Sequence, residues 1–145
     1  MADRAEMRPV RKKSYVVFVS HSTTDAWIAG MMSRKMRGAG AKTWLDEKDL
    51  EGGAVVVDGI LQGIRASDEV VVLVSPKSVK SQWIMFEIGA ARIQGKRVTP
   101  ILNNVAKYDA IKPLKDVKSM DLNRFDKFLV QLRTRIAKKR KRSVF

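Results

Sequence analysis

Four short runs of β-branched and other apolar residues alternate with segments of helical periodicity, and this alternation constrains the fold more than any other feature. The runs cover residues 15–20, 41–45, 69–74 and 97–102. The first and third runs contain almost no polar residue, which is typical of strands buried on both faces. Such strands occur almost only in parallel sheets that carry helices on both sides.

The segments between these runs have the spacing of amphipathic helices. One helix is predicted over residues 26–37, because Ser22 and Asp25 resemble a capping box before it and Gly38 follows it. Further helices are predicted over residues 55–66, around residue 87, and from residue 123 onward. The apolar stripe of the last helix consists of Phe125, Phe128, Leu129, Leu132 and Ile136.

The order of these elements predicts an α/β fold. A weak fifth strand is expected at residues 117–120, and Pro100 is expected to cut the fourth strand at its end. Alternating strands and helices imply βαβ units. We therefore predict a flavodoxin-like three-layer sandwich, with a five-stranded, mostly parallel sheet and helices on both faces.

Positive charge is concentrated at the two ends of the chain. The net charge is +14, of which residues 1–13 contribute +3 and residues 132–145 contribute +7. One domain is expected over residues 14–137, with basic tails at 1–13 and 138–145. The C-terminal run is interpreted as a solvated tail, and weak non-specific affinity for nucleic acid or membranes stays open. No aromatic residues are interleaved with it, so base stacking is not predicted.

Several functional classes are disfavoured by what the sequence lacks. The chain has no cysteine and one histidine, His21, so a disulfide framework, a thiolate nucleophile and a metal site are not expected. No apolar run approaches the roughly 18 residues that a membrane-spanning helix needs. Residues 1–6 are not followed by the apolar core of a signal peptide. A cytoplasmic location is therefore expected.

Glu87 is the residue that this fold prediction leaves unexplained. It lies in the largely apolar segment 81–91, and the nearest acidic residues in the sequence are Glu69 and Asp109. Burying an ionised carboxylate costs several kcal/mol unless it is compensated. Trp83 lies one helical turn earlier on the same face, which would place an indole beside the carboxylate. The pattern fits a binding pocket and, equally, an amphipathic helix whose polar stripe contains one glutamate.

Polar residues follow three of the predicted strands. They lie in residues 20–25, in the charged loop 46–53, and in residues 75–83. Ligands of such sheets bind beyond the carboxyl ends of the strands, and these ends meet at one edge. We therefore expect the three segments to converge in front of Glu87.

Four stretches resemble the successive boxes of a TIR domain. They are residues 15–21 (YVVFVSH), 44–46 (WLD) with 50–53 (LEGG), 72–76 (VLVSP) and 83–87 (WIMFE). Their order and spacing are also similar to those of the family, over roughly residues 14–137. The second box lacks the Arg-Asp and Pro-Gly that receptor and adaptor members usually carry, and the Phe-Trp box near their C-terminus is missing.

The resemblance points to the bacterial NAD-cleaving TIR enzymes of antiphage defence (Thoeris-like), and it implies a role for Glu87. In such enzymes the glutamate four residues after the tryptophan of the fourth box serves in cleavage, and here that pair is Trp83 and Glu87. The resemblance implies NAD+ as the substrate and no separate cofactor. The implied products are nicotinamide and ADP-ribose, or a cyclic ADP-ribose-type signal.

Seven residues around Glu87 are candidates for contacts with this substrate. The indole could form a wall beside the nicotinamide or the ribose, or belong to the core. The hydroxyl groups after the first strand could donate to the diphosphate or cap the helix, and the imidazole could contact phosphate or adenine or fill a loop position. The candidates are Trp83, Ser20, His21, Ser22, Thr23, Asp46 and Lys48.

Two other functions stay open at this point. A TIR domain without activity would act as an interaction module. A flavodoxin-like fold also fits a phosphate binder or, with a glutamate near a ribose, a nucleoside deoxyribosyltransferase. A phospho-accepting receiver domain is disfavoured, because residues 20–21 and 75–76 are not acidic. By family analogy we also expect self-assembly through the loop Asp46 to Gly53 and a separate effector or sensor protein.

Overall fold

The fold is built on one parallel sheet. A computed structural model describes residues 14–45, 56–106 and 111–142. Within these residues the five strands have the order β2-β1-β3-β4-β5, and all neighbouring strands are parallel. The strands are β1 Val16–Ser20, β2 Lys42–Leu45, β3 Glu69–Val74, β4 Arg97–Leu102 and β5 Met120–Asp121. This is the flavodoxin-like order, and the predicted fold class is confirmed.

Four α-helices of the described residues cover the two faces of the sheet. The helices α1 (Ala26–Gly38) and α4 (Phe125–Arg142) lie on one face. The helices α2 (Val56–Ala66) and α3 (Gln82–Ile93) lie on the other face. Each pair of helices buries its apolar side chains against the sheet, which gives the three layers that the sequence predicts.

The central strand β3 is buried on both faces, as its uninterrupted apolar sequence predicts. Val71 and Leu73 belong to the core beneath α1 and α4. Val70, Val72 and Val74 belong to the core beneath α2 and α3. Because β1 lies beside β3, the carboxyl ends of both strands occupy the middle of the edge where the polar segments were expected to converge.

Pro100 lies inside β4 and does not end it, so the prediction of a strand cut at this proline is wrong. The N–H of Asn103 donates to the carbonyl of Val74 in β3. Backbone groups alternate in direction along a strand, so the nitrogen of Pro100 faces away from β3. On that side β5 pairs only with Ile101 and Leu102, and the proline removes no hydrogen bond between β3 and β4.

The last strand and the last helix begin later than the sequence predicts. The strand β5 pairs at its two residues, Met120 and Asp121, and residues 117–119 are not part of it. A 3-10 turn over Leu122–Arg124 then precedes α4. The side chain of Asp121 caps this turn by accepting the N–H of Asn123 at 2.8 Å. The predicted apolar stripe of α4 faces the core, with Leu129 only partly buried.

The basic run 138–142 is part of α4 and not a separate tail. Lys139 Nζ lies 2.7 Å from Asp68 Oδ1, and both side chains are about three-quarters buried. Arg140 Nη2 donates to the carbonyl of Gly40 at 3.2 Å. The predicted boundary at residue 138 therefore falls inside a helix, and the interpretation as a solvated run is wrong for Lys139 and Arg140.

Some sequence predictions fall outside the described residues. The tail 1–13, residues 143–145 and the loop 46–53, with Asp46 and Lys48, are among them. In the segments that are described, none of the helices has the length and apolar character needed to cross a membrane.

Candidate active site

Glu87 lies on the inner face of α3. The Oγ of Ser81 accepts a hydrogen bond from the N–H of Ile84 at 3.2 Å and so caps the start of this helix. With the helix beginning at Gln82, Glu87 is turned toward the sheet together with Ile84 and Ile88. All three of these inward-facing side chains are completely buried.

The end of β1 supplies a hydrogen bond to this carboxylate. Ser20 Oγ donates to Glu87 Oε1 at 2.6 Å, and neither residue has exposed surface. A short bond from a hydroxyl to a carboxylate is charge-assisted, and it fixes the orientation of the carboxylate. The contact of Ser20 with a diphosphate stays a prediction, but its hydroxyl is directed at Glu87 here.

The three residues after Ser20 differ in exposure. His21 is 7% exposed, and its Nδ1 lies 2.7 Å from the carbonyl oxygen of Ser22. Because a carbonyl oxygen only accepts, Nδ1 carries the proton of this bond. The side chain of Ser22 is half-buried and that of Thr23 is exposed. Their contacts with a substrate stay predictions.

A second polar cluster joins the ends of β1 and β3. Asp25 Oδ2 accepts hydrogen bonds from Ser22 Oγ, at 2.7 Å, and from Ser75 Oγ. The N–H of Ser75 in turn donates to Ser78 Oγ at 2.7 Å. The side chain of Ser22 makes no capping bond to the backbone, so the predicted capping box is wrong. Asp25 instead ties the segment after β1 to the connection between β3 and α3.

Trp83 lies on α3 one turn before Glu87, as the spacing predicts. It is half-buried, and the centroid of its ring lies 5.8 Å from that of Phe86. It also packs against the core beneath α2 and α3. This environment fits both sequence-based interpretations, an aromatic wall and a core tryptophan.

A model of one protein family matches most of the chain. The match covers residues 17–133, and the family is the TIR domain. The chain belongs to the TIR-domain family. The resemblance found in the four sequence boxes is therefore confirmed.

Curated relatives of this TIR domain include receptors and enzymes. Toll-like receptor 2 of Homo sapiens is 31% identical over 83 residues, which are 55% of this chain and 11% of the receptor. The 2' cyclic ADP-D-ribose synthase BtTIR of Bacteroides thetaiotaomicron is 28% identical over 109 residues, 72% of this chain and 38% of that protein. The probable 2' cyclic ADP-D-ribose synthase TcpO of Methanobrevibacter olleyae is 26% identical over 127 residues, 81% of this chain and 37% of that protein. The chain thus spans well under half the length of each.

Solved structures with the same fold are also TIR domains. The TIR domain of the Toll-related receptor TRR-2 from Hydra magnipapillata has a TM-score of 0.68 at 21% identity and covers 88% of this chain and 99% of that one. A metazoan TIR-STING receptor from C. gigas has a TM-score of 0.66 at 23% identity and covers 81% of this chain and 38% of that one. At these identities the likeness shows the fold alone.

A cavity of about 670 Å³ lies beyond the carboxyl ends of β4 and β5 of the TIR domain. Its polar lining consists of Asn103, Asn104, Asp121 and Asn123. Glu87 and Ser20 are not part of its lining, so this cavity and the buried carboxylate are separate features. We place the candidate active site at the carboxylate, because chemistry and not cavity size distinguishes it.

A second buried carboxylate, that of Glu69, lies at the amino end of β3, whereas Glu87 lies near the carboxyl ends of the strands. The sequence analysis assigned no role to Glu69. Glu69 is completely buried and accepts hydrogen bonds from Arg135 Nε at 2.7 Å, from Arg135 Nη2 at 2.9 Å and from the hydroxyl of Tyr15. Glu69 is therefore paired with a cation, whereas the Ser20 hydroxyl that donates to Glu87 is neutral.

This cluster shifts two pKa values. Burial raises the pKa of Tyr15 above its usual value of 10.0, and the hydrogen bond and charge of Glu69 raise it further. The pKa of Arg135 is also raised: burial lowers it, but the hydrogen bond and the charge of Glu69 outweigh burial. Arg135 thus stays charged and Tyr15 stays neutral, which suits a structural role.

Proposed function

We propose that this TIR domain cleaves the nicotinamide–ribose bond of NAD+, with Glu87 as the catalytic carboxylate. The observation that carries the proposal is the complete burial of Glu87 at the carboxyl edge of the sheet, where Ser20 Oγ donates to it at 2.6 Å. One curated relative, BtTIR, is named as a 2' cyclic ADP-D-ribose synthase and another, TcpO, as a probable one, which supports a reaction at the same kind of ribose.

In the proposed mechanism the ribose passes through an oxocarbenium-like state. As the bond to nicotinamide breaks, its electron pair moves to the pyridinium ring, so nicotinamide leaves neutral and needs no acid. The positive charge that develops on the ribose is stabilised by the carboxylate of Glu87. Ser20 holds this carboxylate in one orientation, which removes a reorganisation cost during the reaction. Attack by water would give linear ADP-ribose, and attack by an atom of the ADP-ribose itself would give a cyclic product.

The remaining candidates are assigned to substrate binding as part of this proposal. The half-buried indole forms a wall beside the nicotinamide or the ribose. The polar groups after β1 lie where a diphosphate would approach the start of a helix. No separate cofactor is required, because NAD+ is itself the substrate. The proposed binding residues are Trp83, Ser20, His21, Ser22, Thr23, Asp46 and Lys48, with Ser20 acting through Glu87.

The proposal includes a cellular setting. The NAD+-cleaving activity would serve bacterial antiviral immunity in the cytoplasm, with a separate sensor or effector protein. Activity would depend on self-assembly through the loop 46–53, as family analogy suggests. A TIR domain of the activated Roq1 resistosome shares the fold, with a TM-score of 0.63 at 19% identity over 86% of this chain.

The substitution Glu87→Gln tests the catalytic role directly. It keeps the size and the hydrogen-bonding reach of the side chain but removes the charge that faces the ribose. We expect nicotinamide release, measured by chromatography, to fall by about 100-fold or more, while the melting temperature stays that of the wild type. Release at the wild-type rate would end the proposal.

The matched control is Glu69→Gln, which neutralises the other buried carboxylate. This variant leaves Arg135 without its ionic partner, so we expect it to melt at a lower temperature. Its turnover per folded molecule should equal that of the wild type. If the two variants lose turnover equally, the loss reports general damage to the fold and not the chemistry of Glu87.

A non-catalytic interaction module is the second candidate function, and the receptor relative favours it. Under this alternative the wild-type protein releases no nicotinamide at any protein concentration, whereas it still self-associates. The same chromatographic assay therefore separates the two candidates.

A further inference from the structure

The last turns of α1 and α4 meet at the amino-terminal edge of the sheet. Arg140 Nη2 on α4 donates to the carbonyl of Gly40, two residues after the end of α1, at 3.2 Å. The strand β2 begins immediately afterwards, at Lys42. The side chain of Arg140 therefore joins residues 34–42 to residues 133–142, and we call these two segments together the basic surface.

The basic surface carries only positive charge. Residues 34–42 and 133–142 contain eleven Lys and Arg and no Asp or Glu. Two of the eleven, Arg135 and Lys139, are directed inward and are paired with Glu69 and Asp68. Eight others have exposed side chains, namely Arg34, Lys35, Arg37, Lys42, Arg133, Lys138, Lys141 and Arg142.

This charge exceeds what the helices need for their own stability. Cations interact favourably with the dipole only in the last turn of a helix. Arg133 lies more than two turns before the end of α4, and Lys42 lies on a strand. The two inward ion pairs, at 2.7 Å each, hold α4 against the sheet and so fix the helix backbone from which the outward cations project.

We propose that the basic surface binds the phosphate backbone of duplex nucleic acid. From residue 133 to residue 142 the helix rises about 14 Å. Duplex DNA carries about one charge per 1.7 Å with both strands counted, so a duplex segment of this length contains about eight phosphates, of which one face of the protein reaches a part. The two segments contain no aromatic residue, Asn or Gln, the side chains that stack on bases or read adenine. Contacts to phosphates carry no sequence information, so binding through the backbone is electrostatic and independent of base sequence.

An anionic membrane is the competing polyanion, and the structure favours it less. Stable electrostatic attachment to a lipid surface takes a second, apolar or lipid anchor. The large apolar side chains that are exposed in the described residues are Trp27, Val57, Met85, Ile93 and Val130. None of them belongs to the basic surface.

The test measures the salt dependence of binding to a fluorescently labelled 20-base-pair DNA duplex by anisotropy, with the full chain. If the basic surface neutralises about four phosphates, the slope of log K against log salt is about −3.6. Affinity then falls about 150-fold between 50 and 200 mM NaCl. Two duplexes of unrelated sequence should bind equally.

A variant pair locates the binding site. The triple substitution K138Q, K141Q and R142Q removes three exposed cations of the basic surface. The control K112Q, K115Q and K118Q removes three exposed cations elsewhere, with the same change in net charge. We expect the first variant to bind at least tenfold more weakly at 100 mM salt, with a slope smaller by about 2 to 3, and the control to bind like the wild type.

Other outcomes overturn the proposal. Equal losses in both variants would show that net charge and not this surface binds the duplex. Tighter binding to vesicles containing phosphatidylserine than to the duplex, lost in the first variant, would assign the surface to membranes. If circular dichroism shows that the first variant is unfolded, the triple substitution R34Q, K35Q and K42Q tests the α1 side of the same surface. Wild-type affinity of this second variant for the duplex would refute the proposal.

Discussion

The substitution Ser20→Ala separates a residue that positions the catalytic carboxylate from one that binds substrate. Ser20 Oγ and Glu87 Oε1 are 2.6 Å apart, and both residues have no exposed surface. Alanine removes the donor and leaves the backbone of β1 unchanged. The carboxylate then loses the bond that fixes its orientation.

The expected magnitude follows from the kind of hydrogen bond that is lost. A hydrogen bond to a charged group contributes roughly 1.5–3 kcal/mol. Since about 1.4 kcal/mol corresponds to a factor of ten, kcat should fall by roughly 10- to 150-fold. KM should change little, because the proposed role of Ser20 is exercised through Glu87 and not through the substrate. A direct bond to the diphosphate would instead raise KM.

The assay is nicotinamide release over a range of NAD+ concentrations, with Ser67→Ala as the matched control. Ser67 is 2% exposed, and its Oγ donates to the carbonyl of Gly63 at 2.7 Å, before the amino end of β3. Both substitutions delete one buried hydroxyl that donates a hydrogen bond, so both should lower the free energy of unfolding, by about 1.5–3 kcal/mol for the bond to the carboxylate and about 0.5–1.5 kcal/mol for the bond to the carbonyl. Only Ser20→Ala should lower kcat. A kcat within twofold of the wild type for Ser20→Ala would refute the positioning role.

Three further predictions concern stability and assembly. Arg135→Met should lower the free energy of unfolding in urea by about 3–5 kcal/mol, because it leaves the completely buried Glu69 without its cation; a loss below 1 kcal/mol would contradict this. Because the pKa of Tyr15 is raised in the folded state, its contribution to the free energy of unfolding is complete below pH 10 and is lost as the pH rises further. The free energy of unfolding of Tyr15→Phe should therefore fall less steeply above pH 10 than that of the wild type. Nicotinamide release per molecule should rise with protein concentration, and a constant specific activity from nanomolar to high micromolar protein, with a monomer in light scattering, would exclude assembly-dependent activity.

The parts of the fold that the sequence predicted are those whose signal is local. The run of valines in β3 has to be buried on both faces, and this alone requires layers of helices on each side of a parallel sheet. The predicted boundaries of strands were wrong where pairing with a neighbouring strand sets them. Pro100 is tolerated because of the direction in which its nitrogen faces, and the pairing of β5 with Ile101 and Leu102 sets the position of the edge strand.

The sequence predicted residues of the candidate site only where a single residue stands in an unusual sequence environment. Glu87 stood out because it is an isolated acid in an apolar segment, and the structure buries it. Its donor Ser20 is 67 positions away, and several hydroxyl groups near the end of β1 had an equal claim to that role. Asp25 was interpreted as part of a capping box, because the side chains that cap helices also form hydrogen bonds between segments that are distant in the sequence. Glu69 did not carry this signal of an isolated acid, because Asp68 directly precedes it in the sequence, and its partner Arg135 could be identified only from the packing of α4.

The sheet keeps the proposed chemistry and the proposed nucleic-acid surface apart. Glu69, beside the basic surface, and Ser75, beside the candidate active site, are separated by the six residues of β3, or about 17 Å to 20 Å. The bound phosphates would lie in solvent, where the Debye length is about 8 Å at physiological salt, so counterions around them should screen most of their effect at this distance. A duplex should therefore leave the turnover of an isolated molecule unchanged. If activity depends on assembly, stimulation should instead require a duplex long enough to hold several copies.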